Sequence, residues 1–451
     1  MAATHSDNAE ELIERIITKL SESGVDAALP LLKDLHPADI AQLLESLLPE
    51  ERLRIWGHID DEHRGETLLE LGEGVRDSII GGTDVHALAA AVHRLDTDEI
   101  ADLIPGLPDE VIAEVMFNVS REEREQLEAV LSYPEDTAGG LMDIDAVAIR
   151  PRITVAVVRR YLRMLMKLPE YTDKLFVVNR SNQLTGTVLL SDLTTADDDQ
   201  RISDITNTEP HYFTAEQDEL EVANGFARYN LVSAPVLDED QRLIGRITVD
   251  DVVDVIRDEA DYRVMAPAGL DEEEDIFAPV AQTTRSRAVW LGVNLITALV
   301  ASVVIARFED TIGQLVALAV LMPIVASMGG NTGIQSLTVV IRGLSVGTIS
   351  SGNTRRILYK ELMVGSLNGV IWALAIAAIT VLWFDNIQLG MIIGAAMVIT
   401  MASAAVFGAL LPVVMTRMGI DPALAGGVAL TTVADVIGFF SFLGLAALFL
   451  T

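Results

Sequence analysis

The chain has 451 residues, with 32 Lys and Arg against 66 Asp and Glu and a formal net charge of -34 at pH 7. Such acidity argues against nucleic-acid binding, because carboxylates repel phosphate and no basic stripe is present, and the absence of cysteine excludes disulfides and thiolate metal sites. We expect cations as partners, with a merely solvated acidic surface as the alternative.

The charges are unevenly distributed along the chain. From Arg285 to the end there are 8 Lys and Arg against 6 Asp and Glu, whereas the preceding residues have 24 against 60. We therefore expect an acidic soluble half with two or three domains, followed by a nearly neutral hydrophobic half. The N-terminus has no apolar core behind a basic start and does not resemble a secretory signal, so the soluble half is expected in the cytoplasm.

Residues 9–132 show apolar residues at helical spacing, with Asp, Ser or Thr ahead of each run. A weak repeat relates the segment that starts at Leu35 to the one that starts at Leu95, and Leu-Pro follows each copy. Similar helical units that stack on their neighbours predict an α-helical superhelical N domain over residues 1–135.

A clearer repeat lies between Leu141 and Ile256. The run Leu175-Phe-Val-Val-Asn aligns with Ala234-Pro-Val-Leu-Asp at an offset of 59, and a polar turn and a second apolar run follow in each copy. Each copy is predicted to form strand, turn, strand and helix. The pattern resembles a tandem pair of cystathionine-β-synthase-type (CBS) modules with an α/β fold, here over residues 136–201 and 202–258.

The CBS resemblance implies a ligand-binding role, since such modules usually bind adenine nucleotides or sense ligands for an attached effector. In the second copy, the Thr248 hydroxyl and the Asp251 carboxylate have the spacing with which the family bonds a ribose. In the first copy, Leu189 occupies the position of the Thr. A nucleotide such as ATP bound at Thr248 and Asp251, and a purely structural pair that relays another signal, are both compatible with these residues.

Six carboxylates cluster at the end of the second module. They are Asp250, Asp251, Asp254, Asp258, Glu259 and Asp261. On a helix Asp251, Asp254 and Asp258 share one face, and clustered carboxylates repel one another unless a cation such as Mg²⁺ or Ca²⁺ lies between them. The sequence therefore indicates either a metal-sensing face or a solvated surface, with a connecting helix and linker over residues 259–284.

Five hydrophobic segments follow, each close to or above the roughly 20 residues needed to cross a bilayer. They lie near 288–306, 312–340, 362–383, 389–414 and 422–450. With a cytoplasmic N-terminal half, seven of the eight cations of the membrane half fall in inside loops and only Arg307 falls outside. We expect an all-α five-helix domain over residues 285–451 in the cell (inner) membrane, with the C-terminus outside.

The second span contains Pro323, Gly329, Gly330, Asn331 and Gln335. Pro and Gly break helices and free backbone carbonyls, which membrane depth tolerates only where protein or a wet cavity covers them. Broken helices commonly form ion sites, and Asn331 and Gln335 add side-chain oxygens one turn apart. The sequence predicts a broken helix with an ion site, and the alternative is a tight glycine-mediated contact between helices.

The last span carries one carboxylate, Asp435, near its middle, with Thr432 one turn before it. A charge at membrane depth costs roughly 3 kcal/mol on insertion scales, so it indicates a functional site that faces the protein interior or water. No His, Lys or Arg lies in the central part of any span, which makes an internal salt bridge hard to build. A cation pathway is the prediction, and a structural Asp hydrogen-bonded to Thr or Asn is the alternative.

The chain resembles the MgtE family of magnesium channels and transporters over nearly its full length. The similar segments are Tyr133-Pro-Glu-Asp-Thr-Ala-Gly-Gly-Leu-Met142, Gly329-Gly-Asn-Thr-Gly-Ile-Gln335 and Thr432-Val-Ala-Asp435-Val-Ile-Gly. The resemblance implies a homodimer in which the second and fifth spans of both subunits line a pore and the two Asp435 carboxylates select a hydrated Mg²⁺. The expected pore residues are Gly329, Gly330, Asn331, Gln335, Thr432 and Asp435.

The same resemblance implies that cytosolic Mg²⁺ closes the pore by binding to carboxylates of the soluble half. The matching positions are Asp98, Asp251, Asp254 and Glu259, and Asp250 lies beside them. Two segments depart from the family pattern: Asp261-Tyr262-Arg263 replaces an acidic pair, and Ile334 stands where a polar residue is expected.

We therefore expect a Mg²⁺-selective, channel-like importer that is driven by the membrane potential and closed by cytosolic Mg²⁺. Two alternatives stay open: a cation-coupled divalent metal carrier or exchanger, and a non-transporting membrane sensor whose CBS half binds a nucleotide or a partner. An enzyme is not expected, since no nucleophile and base stand at a useful spacing and no phosphate-cradling Gly-Lys-Ser/Thr loop is present.

Overall fold

The computed structural model describes residues 3–32, 35–95, 97–270, 274–350 and 352–450. Within these ranges, the side chains of residues 3–10, 26, 62, 97, 98, 122 and 123 lie outside the description. The chain forms two compact units: Met1–Ala260 together with Glu273–Pro279, and Asp261–Glu272 together with Val280–Thr451.

Ten α-helices form the N-terminal part of the first unit in the described residues. They are α1 (Ala3–Ser23), α2 (Val25–Leu32), α3 (Pro37–Glu45), α4 (Pro49–Trp56), α5 (Asp61–Leu69), α6 (Glu73–Gly82), α7 (Val85–Val92), α8 (Thr97–Leu103), α9 (Asp109–Asn118) and α10 (Arg121–Val130). Packing joins helices two apart: α1 contacts α3, α3 contacts α5, α5 contacts α7, and α7 contacts α9. Such stacking buries the apolar face of each short helix against its neighbours, and it confirms the predicted helical N domain.

Two three-stranded sheets follow. The first contains β1 (Ala148–Ile149), β2 (Lys174–Val178) and β3 (Leu184–Leu189), and the second contains β4 (Phe213–Thr214), β5 (Ser233–Leu237) and β6 (Leu243–Thr248). In each sheet the short strand is parallel to the middle strand, and the middle strand is antiparallel to the last. The helices around them are α11 (Val155–Met164), α12 (Leu190–Thr195), α13 (Ile202–Ile205) and α14 (Glu219–Tyr229). β5 and β6 begin 59 residues after β2 and β3, which confirms the predicted tandem α/β pair.

The N domain and the second CBS module share one hydrophobic core. Val111 and Val115 of α9 belong to the same buried cluster as Phe226 of α14 and Ile247 of β6. The first module has a separate core, to which Val177 belongs. The N domain therefore packs on the second module rather than on the first.

Helix α15 (Val249–Met265) runs without interruption from the last strand of the second module into the second unit. Val252 and Val255 form its buried face. A 3₁₀ turn at Ala266–Ala268 follows, and Gly269 ends it in the left-handed conformation with φ 69°. A side chain at Gly269 would collide with the indole ring of Trp290, so this close approach requires glycine.

Residues 274–279 return to the first unit, where Asp275 is bound by Arg52. The Arg52 guanidinium donates to the two carboxylate oxygens at 2.5 and 2.7 Å, and both side chains are buried. Arg52 also donates to the backbone carbonyl of Leu44 at 2.8 Å. Burial alone would raise the pKa of Asp275, but the hydrogen bonds from Arg52 and from the Phe277 amide outweigh it and lower the pKa.

Among the described residues, five helices of the second unit are long and apolar enough to cross a membrane, as the sequence predicts. They are α16 (Val280–Ala306), α18 (Ala317–Ser345), α19 (Thr354–Phe384), α20 (Ile387–Arg417) and α21 (Pro422–Phe449), and the short α17 (Glu309–Gln314) precedes α18. Helix α20 contacts α18, α19 and α21. It is also the most buried of the five spans, so it lies at the centre of the bundle.

The predicted break in the second span is wrong. Helix α18 is continuous through Gly329, Gly330 and Gly333, and none of these glycines has a positive φ. The chain instead departs from helical geometry at Leu315, where φ is −136° and ψ is 86°, before the span begins. The alternative applies, because neighbouring helices approach α18 closely at Gly329 and Gly333.

Candidate functional site

Helices α18 and α21 pack against each other in antiparallel register. Glycines mark four contacts between them: Val325 with Gly438, Gly329 with Ala434, Gly333 with Leu430 and Leu337 with Gly426. Successive contacts are four residues apart on both helices, so one face of each helix forms the interface. Gly330 lies outside this stripe, and a methyl group built on it would meet nothing within 4 Å. The two spans that the sequence predicts to carry the ion site are thus in direct contact.

Asp435 follows Ala434 and lies at the edge of this interface. Its side chain is half-buried, and no residue in the described part of the chain donates a hydrogen bond or forms an ion pair with it. The Thr432 hydroxyl donates to the backbone carbonyl of Val428 at 2.7 Å instead. The described residues therefore do not form the alternative arrangement, a structural Asp bonded to Thr or Asn. The carboxylate keeps its full capacity to accept hydrogen bonds from water or to bind a cation.

Asn331 and Gln335 are exposed on α18. They follow Gly329 and Gly333 by two residues, which places them roughly 160° around the helix from the stripe that contacts α21. Within one chain, the structure therefore brings the turn of Asp435 next to Gly329, but it does not bring Asn331 and Gln335 to the same side.

The sequence analysis missed a buried carboxylate on α19. Glu361 is 7% exposed and accepts a hydrogen bond from the Ser336 hydroxyl of α18 at 2.8 Å. The apolar run begins directly after Glu361, so hydropathy places this residue in a loop. The helix itself begins at Thr354, and Glu361 lies two turns inside it. Because α19 extends beyond the apolar run, it carries the Glu361 carboxylate into contact with α18, and hydropathy does not reveal this extension.

The start of α15 holds a strongly perturbed carboxyl group, Asp251. It accepts a hydrogen bond from the Thr248 amide at 3.2 Å, and it shares the single hydrogen of the Thr248 hydroxyl, 3.0 Å away, with Asp250. Burial, followed by the charge of Asp250, outweighs these hydrogen bonds and raises the pKa of Asp251 to about 7. A carboxylate in such surroundings favours either a proton or a bound cation.

The negative charges of N-domain carboxylates raise the pKa values of carboxyl groups on the same face of α15. Burial raises the pKa of Asp254, and the charges of Asp258 and of Glu70 raise it further. The charge of Asp102 likewise raises the pKa of Asp251, one turn earlier in the helix. The side chain of Asp98, which the sequence analysis named, lies outside the described residues. Glu70 and Asp102 were missed, because no local pattern links them to a helix more than 140 residues away.

The repulsion extends across an acidic surface of the first unit. Burial raises the pKa of Glu219, and the charges of Asp218, Asp136, Asp258 and Glu259 add to it. In the described residues, no three His, Asp or Glu side chains are arranged as a ready-made metal site. The surface suits a cation that keeps much of its water shell, as Mg²⁺ does when one or two carboxylates bind it.

A cavity of about 260 Å³ lies between the two CBS modules. Its lining includes Lys174, Thr187, Leu189, Asp192, His211 and Pro235. His211 stacks on Tyr229 with ring centroids 3.8 Å apart, a pair that sequence analysis missed because the two residues belong to different elements. Thr248 and Asp251 do not line this cavity, and Leu189 and Asp192 hold the corresponding positions of the first copy.

Models of three known families match parts of the chain. They are the divalent cation transporter model of MgtE over residues 322–445, the MgtE intracellular N domain over residues 35–136 and the CBS domain over residues 202–258. The N-terminal part of the chain therefore matches a family of intracellular domains, and the part with the apolar helices matches a family of divalent cation transporters.

Proteins named magnesium transporter MgtE are similar to this chain over nearly its full length. The protein of Bacillus subtilis is 30% identical over 445 residues, which are 98% of each chain. The protein of Thermus thermophilus is 31% identical over 447 residues, which are 98% of this chain and 99% of its own. A solved structure, the cytosolic domain of the Mg²⁺ channel MgtE in complex with ATP, is 30% identical, covers 54% of this chain and 99% of its own, and has a TM-score of 0.48. The chain therefore belongs to the MgtE family of magnesium transporters, which are not enzymes.

Proposed function

We propose that this protein is a Mg²⁺-selective, channel-like importer of the cell membrane, driven by the membrane potential and closed by cytosolic Mg²⁺. The observation that carries the proposal is the half-buried carboxylate of Asp435, on a membrane span and without a hydrogen-bond or ion-pair partner in the described residues. An ionised group at this depth requires water or a cation beside it. With a cytoplasmic N-terminal half and five spans, the C-terminus is expected outside.

A homodimer accounts for the exposed polar face of α18. In a single chain Asn331 and Gln335 would face lipid, where polar groups are costly. A second copy whose α18 and α21 enclose a water-filled path covers this face and places a second Asp435 opposite the first. Gly330, with open space around it, leaves room for that copy or for the path itself.

Two facing carboxylates favour a divalent over a monovalent cation. Mg²⁺ gives up its waters reluctantly, so a path that holds the hydrated ion through those waters suits it. Moving two charges through 100 mV is worth roughly 4.6 kcal/mol, which is enough to support uptake without ATP hydrolysis.

Helix α15 supplies the proposed gate. Its beginning carries Asp250, Asp251 and Asp254, and at its other end the Tyr262 hydroxyl donates to Asp421, the residue that caps the start of α21. The 3₁₀ turn after α15 also packs against α21. Cytosolic Mg²⁺ on the acidic surface offsets the repulsion among carboxylates and holds α15 against the end of the pore helix. Loss of this Mg²⁺ restores the repulsion and releases the contact.

Mg²⁺ flux into liposomes that contain the purified protein tests the pore assignment. Asp435→Asn and Asp435→Ala are expected to lower the flux at least about ten-fold, since neither side chain replaces the charge that stabilises a divalent ion. The matched control is Asp385→Asn, in the loop after α19. This residue has a left-handed backbone that Asn also tolerates, so wild-type flux is expected. Wild-type flux in both Asp435 variants would contradict the proposal.

The driving force separates a channel from its rivals. With an inside-negative potential set by K⁺ and valinomycin, flux through a channel rises with the potential and needs no opposing gradient. Flux that requires an opposing Na⁺ or H⁺ gradient would select a cation-coupled carrier. Nucleotide binding without any ion flux would select a membrane sensor.

Binding of an adenine nucleotide such as ATP is a second regulatory prediction, and the cavity between the CBS modules is its best-supported place. Lys174, whose ammonium group also donates to the Ser233 carbonyl at 2.7 Å, supplies a cation for phosphate, and His211, which stacks on Tyr229, offers a ring for the base. Thr248 is already engaged by Asp250 and Asp251. Calorimetry is expected to show ATP binding that Lys174→Met abolishes and Thr248→Val retains. The reverse result would place the nucleotide at Thr248 and Asp251.

A further inference from the structure

Thr400 lies near the middle of α20 and is 1% exposed, and its hydroxyl has no hydrogen-bond partner in the described part of the chain. In the described residues the Thr380 hydroxyl on α19 is unpaired in the same way, but two threonines of α18 and α21 bond to the backbone of their own helix. Thr332 donates to the carbonyl of Met328 at 2.8 Å and Thr432 to that of Val428 at 2.7 Å, each one turn earlier in the same helix. An unpaired buried hydroxyl carries a free-energy cost, so packing rather than hydrogen bonding holds Thr400 in its orientation.

Two glycines of the pore helices form the surroundings of Thr400. A methyl group built on Gly329 of α18 would lie 2.6 Å from Thr400 Cγ2, closer than real methyl groups approach. A methyl group built on Gly438 of α21 would lie 3.3 Å from the same Cγ2 and 3.7 Å from the hydroxyl oxygen. The Thr400 side chain therefore fills the groove that these two glycines leave between α18 and α21.

We propose that Thr400 is a positioning residue for ion selection, whose side chain sets the spacing of α18 and α21 beside Asp435. Ala434, which precedes Asp435, faces Gly329 across the interface of the two helices. A change in this spacing therefore moves the turn that carries the carboxylate. Because packed interiors resist compression, even one methyl group at Thr400 affects the geometry of the path. The inference rests on the proposed pore.

Selectivity, rather than flux alone, is the property that such a residue controls. A path that holds ions through their waters distinguishes them by size and by the energy of losing water. Displacement of Asp435 is therefore expected to change the flux ratio of Mg²⁺ to the larger Ca²⁺. A purely structural role of Thr400 would lower the amount of folded protein and leave this ratio unchanged.

A size swap across the contact tests the inference in liposomes. Gly329→Ala adds a methyl group against Thr400 Cγ2 and is expected to lower the Mg²⁺ to Ca²⁺ flux ratio about ten-fold. Gly329→Ala combined with Thr400→Ser removes the opposing methyl group and is expected to restore most of the ratio. The matched control is Gly292→Ala on α16, where nothing lies within 4 Å of the added methyl group, so the wild-type ratio is expected.

A second pair of variants leaves both glycines untouched. Thr400→Val keeps the shape of the side chain, so we expect the wild-type ratio, together with a higher melting temperature because the unpaired hydroxyl is gone. Thr400→Ala removes both branches and is expected to lower the ratio. A wild-type ratio in Thr400→Ala, a changed ratio in Thr400→Val, or no recovery in the Gly329→Ala and Thr400→Ser double variant would overturn the inference.

The Asp435 variants distinguish failure of this inference from failure of the pore. A loss of flux in Asp435→Asn with a wild-type ratio in Thr400→Ala leaves the pore in place and removes the role of Thr400. Wild-type flux in both Asp435→Asn and Asp435→Ala removes the pore and the role of Thr400 together.

Discussion

Asp251 is a carboxyl group whose surroundings favour its neutral form. Burial and the charge of Asp250 raise its pKa to about 7, whereas its ordinary value, which applies to the unfolded chain, is 3.8. Between these two pH values, the folded state keeps a proton that the unfolded state has released. Relative to high pH, Asp251 therefore adds to the free energy of unfolding below about pH 4. This stabilisation is lost as pH rises from about 4 to about 7 and does not change further above that range.

Replacement of Asp251 by Asn removes this titration and retains an acceptor for Thr248. In Mg²⁺-free buffer, Asp251→Asn is expected to melt at a higher temperature than the wild type at pH 8, with the difference vanishing near pH 4. Calorimetric melting curves across this range check the prediction. Glu239→Gln, on an exposed turn of the same module, serves as the control and is expected to show no such dependence. A difference of equal size at pH 4 and pH 8 would show that Asp251 does not titrate with a raised pKa in the folded state.

Single residues differ in how well the sequence reveals them. Asp435 stands out because it is the one charge inside a long apolar run, and Asp251 because it lies in an acidic cluster. Glu361 adjoins an apolar run and reads as a loop residue, and only the tertiary structure buries it against Ser336. The N-domain carboxylate of Glu70 reaches α15 only through the packing of the two domains, which no local pattern encodes.

Helix α18 shows where local propensity yields to packing. Its glycines predict a break in isolation, but each peptide group stays in the helix. The reason is that other helices come within contact distance at Gly329 and Gly333, and a continuous helix is what those helices pack against. The glycine content of the segment therefore correctly indicates close contacts between helices, but it wrongly indicates a break in the helix.

The gate proposed for helix α15 is testable through its acidic residues. Asp251→Asn combined with Glu259→Gln is expected to raise the internal Mg²⁺ concentration that closes the channel about ten-fold, because charged ligands dominate affinity for a hard cation. Flux from liposomes loaded with graded Mg²⁺ measures this concentration. The control is Glu239→Gln combined with Glu128→Gln, which removes two exposed charges elsewhere. An unchanged closing concentration in the test variant would make the acidic face a solvated surface.

For the whole molecule, the sequence predicts the parts better than their arrangement. Hydropathy alone locates five spans, and the offset of 59 residues alone locates the paired strands of both CBS modules. Both signals can be read directly from the order of residues along the chain. The shared core of the N domain and the second module, and the return of residues 274–279 to the first unit, depend on contacts between distant segments. Such contacts leave no periodic trace in the chain.

The bond between Arg52 and Asp275 is expected to support the folded cytoplasmic unit as a whole. Arg52→Met leaves a buried carboxylate without its partner and is expected to lower the free energy of unfolding by about 3 kcal/mol. Hydrogen exchange of residues 274–279 and the melting temperature check this expectation. The control is Arg54→Met, an exposed arginine on the same helix. Equal effects of the two substitutions would show that the ion pair adds nothing.

The bond between Arg52 and Asp275 also joins two distant points of the chain. The two residues are 223 positions apart, and both CBS modules lie between them. The entropy lost on closing a loop grows only slowly with its length, so one buried ion pair can hold residues 274–279 on the first unit. In the folded protein the pair closes a ring of the chain without a covalent bond, as a disulfide would close it in a protein that contains cysteine.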